Sequence, residues 1–171
     1  MSRPSPNEFA VYHENYIMKV KEDDLHTSFN NQSAIANAFL QSIPDEKADY
    51  AYADGKWTVK QLLQHMIDAE RIFAHRALWF ARKDPSPQPG FEENDYARTA
   101  DVSNRSLESL KDEFLAVRKS TECLFKSFSE KEFSSIGYAN NHSVSVKAIG
   151  YILLGHFLHH KNILEERYGL L

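Results

Sequence analysis

Apolar residues recur at three- and four-residue steps in four long stretches of the chain, which is the signature of amphipathic helices. The first stretch runs from about Asp23 to Ser42, where Leu25, Phe29, Ile35, Phe39 and Leu40 form an imperfect stripe that Pro44 closes. The second has the clearest start. Thr58 can cap it, Gln61 three residues later can complete a capping box, and Trp57 and Leu62 stand at the staple positions. Its apolar face continues through Met66, Ala69, Phe73, Ala77 and Phe80 until Asp84-Pro85, Pro87, Pro89 and Gly90 end it. A third helix is predicted from Ser106 to Phe128 on Leu107, Leu110, Phe114, Val117, Thr121, Leu124 and Phe128. The fourth starts near Ser143 or Ser145 and reaches Arg167, with Ile149, Ile152, Leu153, His156, His160, Ile163 and Leu164 on one stripe.

Positions 1–22 carry two prolines and scattered aromatics (Phe9, Tyr12, Tyr16), and read as an arm or short helix packed on the main body. No segment shows a period-two strand pattern between turn signals, so the four helices must bury their stripes against one another. The expectation is an all-α, four-helix bundle forming a single domain over residues 1–171. The connection from Asp84 to Arg105 is long for adjacent antiparallel helices. It either lids a site or carries the chain back along the bundle, so that the second and third helices run parallel; sequence alone does not choose.

Composition narrows the function classes. A net charge of −4 with a pI near 6.1, and no basic cluster, disfavours nucleic-acid binding. The apolar run from Ala148 to Leu158 is interrupted by Gly and His well short of a membrane span, and the N-terminus is polar, so a cytoplasmic protein is expected. The single cysteine, Cys123, cannot form an intrachain disulfide and reads as a small buried hydrophobe on the third helix.

The candidate chemistry lies in the eight histidines. His156 and His160 are four apart, so they stack on the apolar face of the fourth helix. Two imidazoles buried side by side need partners, which a metal ion can supply, as can hydrogen bonds to backbone and to one another. His65 borders the apolar face of the second helix and is the best third ligand, with Asp68 one turn on as a group that could orient it. His159 is rotated roughly 100° from His160 and should border the site. His75 and His142 read as bordering or exposed groups, and His13 and His26 as solvated. Gly155, inside the fourth helix, implies a close approach of another segment beside the site. Asp68, Glu70, His159 and the tyrosines are available as acids or bases, and none can be assigned.

Three segments carry a family resemblance. They are Gly55-Lys56-Trp57-Thr58 leading to Leu62-Leu63-Gln64-His65-Met66-Ile67-Asp68-Ala69-Glu70-Arg71; Pro89-Gly90-Phe91-Glu92-Glu93-Asn94-Asp95-Tyr96; and Gly155-His156-Phe157-Leu158-His159-His160 running to Glu165-Glu166-Arg167-Tyr168. In these the chain resembles the DinB-like superfamily, in its DinB/YfiT-like branch. The resemblance implies one divalent metal ion, zinc or nickel, held by His65, His156 and His160. It also implies parallel second and third helices and a homodimer. The implied activity is metal-dependent: hydrolysis, or S-transfer with a small thiol. A non-catalytic stress-related metal-binding or interaction protein is the alternative.

Overall fold

The computed structural model describes residues 2–170. A short helix α1 (Glu14–Ile17) follows two 3-10 turns; then come α2 (Leu25–Ser42), α3 (Val59–Ala81), α4 (Glu93–Thr99), α5 (Leu107–Lys126) and α6 (Glu130–Phe133). A hairpin of β1 (Ile136–Ala139) and β2 (His142–Ser145) leads into α7 (Val146–Tyr168). The helices start where their capping residues dictate. At α3 the Gln61 amide donates to Thr58 Oγ1 at 3.2 Å while Gln61 Oε1 accepts from the Thr58 amide at 2.9 Å, closing the capping box. Ser145, rather than Ser143, caps α7 by accepting from the Ala148 amide at 3.0 Å, and Gly169 ends it in the left-handed region at φ 65°.

Helix directions follow from which residues meet. Gln64 and Arg71 on α3 bond Arg105 and Glu113 of the α5 side, so chain numbers rise together and α3 and α5 run parallel. Gln32 with Leu154, and Phe39 with Phe157, make α2 and α7 parallel as well. Across these pairs the sense reverses: Phe29 meets Phe125 while Lys111 reaches Ile43, and Trp57 meets Tyr168 while Phe73 meets His156. The bundle is therefore up-down-down-up, and the 84–105 connection does cross back along it.

That connection also caps one end of the molecule. Gln88 pairs with the hairpin, its amide donating to Tyr138 O at 2.8 Å and its carbonyl accepting from Asn140 at 3.1 Å. The hairpin corrects the expectation of a strand-free chain. Asn140 and Asn141 form its turn at φ 50° and 63°, a conformation asparagine tolerates better than most residues. Its four-residue strands leave Ile136 and Tyr138 exposed, which hides the alternation.

Two further expectations fail on helical phase. Cys123 is exposed, because it stands about 200° around α5 from buried Thr121 and points away from the stripe of Leu110, Phe114 and Phe125. Ile35 is exposed too, since the buried face of α2 runs through Phe29, Gln32, Ala36 and Phe39.

At mid-bundle one polar network joins all four long helices. Arg118 of α5 donates to both carboxylate oxygens of Glu70 of α3, at 2.8 and 2.9 Å, and to Gln32 Oε1 of α2. Gln32 in turn donates to Leu154 O of α7 at 3.0 Å. Arg118 and Glu70 are 2% and 3% exposed, and this mutual pairing is what makes two buried charges tolerable. Glu70 is thereby removed from the list of acids and bases available for chemistry.

Candidate metal centre

Antiparallel packing of α3 on α7 sets His65 opposite the His156/His160 pair. The three Nε2 atoms form a near-equilateral triangle: 3.1 Å from His65 to His156, 3.2 Å from His65 to His160, and 3.0 Å between His156 and His160. All three residues are buried, at 5%, 8% and 8% exposure. They are the three described residues whose ligand atoms converge closely enough to hold a metal ion. The sequence expectation for these positions thus corresponds to one real cluster in space.

Aromatic walls fix the rings. Trp57 lies 4.9 Å from His65, and Tyr16 and Phe73 lie 5.5 and 6.2 Å from His156, centroid to centroid. In these surroundings the imidazoles resist protonation. Burial, with a smaller contribution from His159, pushes His65 down to about 4. His156 and His160 are held well below the ordinary histidine range, first by burial and then by their histidine neighbours. At neutral pH the cluster therefore presents neutral imidazoles, the form that ligates metals.

The residues around the cluster sort themselves by contact. His159 borders it, its ring 5.3 Å from Tyr16 and 4.9 Å from His160. Gly155 admits the N-terminal segment: a Cβ there would fall 1.9 Å from the Tyr16 carbonyl oxygen. Asp68 does not turn to His65; it accepts from Gln64 Nε2 at 2.9 Å, and its charged neighbours are Arg71, Glu113 and Arg105. His75 is exposed and stacks near Trp79, and His26 packs edge-on against Phe133.

A cavity of about 370 Å³ opens on one side of the cluster, with His65 and His156 in its floor. Phe73 and Arg76 of α3 continue that floor. Its walls come from outside the bundle: Tyr12, His13 and Tyr16 from the N-terminal segment, Phe91 and Glu93 from the crossover, and Asn140 and His142 from the hairpin. A second hollow of about 220 Å³ reaches His160 past Trp57 and Asn94. The start of α4 thus lies over the site from both sides, since Glu93 faces one hollow and Asn94 the other.

His13 is a correction to the expectation that it is solvated. It lines the larger cavity, and burial together with nearby Arg76 and His142 pushes it down to about 4. Tyr16 is raised above its ordinary value by burial and by Glu93, so it keeps its proton. Arg76 and His13 had no signature in a one-dimensional reading, and Glu93 entered it only as one position of the 89–96 segment. The 84–105 connection did have one: its length is what marked it as a lid or a crossover.

Comparison with known proteins agrees with this architecture. The sequence profile of the DinB superfamily matches residues 29–164. A proposed metal-dependent hydrolase of Geobacillus thermodenitrificans is 33% identical over 101 residues, which are 58% of this chain and 56% of the relative. A second, from Geobacillus kaustophilus, is 32% identical over 63 residues, 37% of this chain and 35% of that protein. The matched stretches thus span about half, or less, of these relatives. Among solved structures, YfiT from Bacillus subtilis, described as having an unusual four-helix bundle topology, superposes with a TM-score of 0.70. That alignment covers 98% of this chain and 94% of YfiT at 15% identity, a likeness of fold.

Proposed function

Since the chain belongs to the DinB superfamily, we propose that it is a metal-dependent hydrolase of small molecules, holding one divalent cation on His65, His156 and His160. The observation that carries this reading is the convergence of three Nε2 atoms of neutral imidazoles between two hollows, His65 and His156 lining the larger and His160 the smaller. Two imidazole nitrogens each ~2.1 Å from one ion, at 90–109° to each other, stand roughly 3.0–3.4 Å apart. The three observed separations, 3.0, 3.1 and 3.2 Å, fall in that range. With each imidazole protonated on Nδ1, three Nε2 lone pairs would converge on one point and repel unless a cation lay among them, and an all-imidazole set suits zinc or nickel.

A cation held by three protein ligands keeps positions open for water or substrate, and supplies Lewis acidity there. The remaining groups belong to the chain. Glu93 and Tyr16 approach the cluster from the wall; the carboxylate can accept a proton and the phenol can donate a hydrogen bond. His13 is neutral at pH 7 and serves as a hydrogen-bonding group or base, not as an acid. Phe73, Phe91 and Trp57 exclude water from the reacting region, which strengthens every electrostatic contact inside it.

The test is metal content and turnover on tag-free protein beside a His160→Ala variant. Near-stoichiometric metal in the wild type, absent from the variant, with ester or amide hydrolysis falling at least ~100-fold, is the expected result. Turnover that requires an added low-molecular-weight thiol and an electrophile would reassign the site to S-transfer. Metal that raises Tm without any turnover would favour a non-catalytic role.

A further inference from the structure

Arg76 shares the cavity with the histidines but has a different chemistry. It follows His65 by eleven residues on α3, which returns it to within roughly 20° of the same helix face, ~16 Å further along the axis. It is 7% exposed, yet its one hydrogen bond among the described residues runs from Nη2 to Pro89 O, at 2.6 Å. Phe73 and Phe91 hold the guanidinium from the sides, at 5.7 and 5.9 Å. No carboxylate of the described residues pairs with it, and burial makes its charged form harder to hold than that of a free arginine.

Arg118 shows what a guanidinium at this depth otherwise requires: it is paired in bidentate fashion with the Glu70 carboxylate and bonded to Gln32. Arg76 leaves its other N–H groups without a partner among the described residues, and the cavity that it lines is also lined by His13, Asn140 and His142, side chains able to donate a further hydrogen bond. The arrangement is a preformed seat for a planar anion.

Resting on the hydrolase reading above, we propose that Arg76 binds a substrate carboxylate, so that the enzyme acts on small monocarboxylates whose apolar body lies against Phe73 and Phe91 and whose scissile bond lies at the three histidines. One permanent cation matches one negative charge. Arg76 is the sole Lys or Arg lining the cavity among the described residues, and Glu93, which lines the same cavity, works against a dianion such as phosphate. The volume, about 370 Å³, admits a metabolite-sized molecule and no polymer segment of length.

Phenylacetate and its uncharged counterpart, phenylacetamide, are suitable probes, titrated by NMR into the full chain as purified and again after chelation of metal. Phenylacetate should bind in both states and weaken at least about tenfold in Arg76→Gln, with phenylacetamide unaffected by the substitution. Should Arg76→Gln fold poorly, the Arg76 Nε–Hε resonance of the wild type gives the same answer, shifting with phenylacetate and not with the amide. Binding that survives Arg76→Gln unchanged, that disappears on chelation, or that is stronger for inorganic phosphate would overturn the proposal, as would no phenylacetate binding at all. Arg76-dependent binding in a protein without hydrolytic turnover would uphold the anion seat and count against the hydrolase reading alone.

Discussion

Two sets of buried polar groups lie within the same bundle, and they are built on opposite principles. The Arg118–Glu70–Gln32 network is closed: each charged or amide group meets another, and the chain of bonds ends on a backbone carbonyl of α7. The histidine cluster is open. Its three Nε2 atoms meet only one another among the described residues, three mutual contacts that two donated hydrogen bonds at most could not all satisfy, and His160 Nδ1 is buried with no hydrogen-bond partner there. Closed networks of this kind hold helices together and specify their register, whereas an open cluster is destabilising until a ligand completes it. The difference separates structure from function in a core where both consist of polar side chains.

The contrast is broken most sharply by removing one partner of the closed network. Glu70→Ala leaves Arg118 as an uncompensated buried charge, and should cost about 3–5 kcal/mol in denaturant unfolding whether or not metal is present. His160→Ala in metal-free protein should cost less, since it deletes a ring whose Nδ1 has no partner among the described residues and leaves no charge behind; an equal loss would show the cluster to be structural after all.

Acid should act on the open cluster next. The folded-state value of His65, about 4, lies below the ordinary 6.5, so the unfolded chain binds more protons across that window. Stability from this group is therefore complete above 6.5 and is lost as pH falls toward 4. In metal-free protein His65 alone should remove about 2 kcal/mol by roughly pH 5, with His156 and His160 adding in the same direction. Unfolding midpoints measured across that range check the slope.

Gly155→Ala acts on a single contact and should cost about 2–3 kcal/mol, because the methyl meets backbone that yields only by displacing the N-terminal segment. The new methyl group collides with the Tyr16 carbonyl, and the gain in helix propensity offsets part of that cost. The signature is local: faster amide exchange in the N-terminal segment with the Arg118 network undisturbed.

What was legible in the sequence follows the same division. Elements that depend on local pattern were readable, as the Thr58–Gln61 capping box and the phase of His156 and His160 show. The inward turn of His65 was readable from its position beside Leu62 and Ala69. Features fixed by contacts between distant segments were not. Arg76 looks like any surface arginine until Pro89, Phe91 and the hairpin fold over it, and His13 looks solvated until its segment docks. The hairpin escaped because two asparagines in left-handed conformations carry a turn that glycine would have advertised. Cys123 was misplaced because a helix that is apolar on average still has an outer side.

The cavity's floor and walls have separate origins, and this bears on how such a protein can diversify. His65, His156, Phe73 and Arg76 stand on long helices whose positions the whole bundle determines. Tyr12, Tyr16, Phe91, Glu93 and Asn140 stand on three segments outside the four long helices, which add Ile17, Val20, Ala139 and Val144 to the core. Rewriting those segments would reshape the cavity while leaving its histidine floor in place. Chimaeras that exchange residues 84–105 between relatives, keeping the buried positions Ala97 and Val102 apolar, would reshape one wall of the cavity and leave the three histidines where they are.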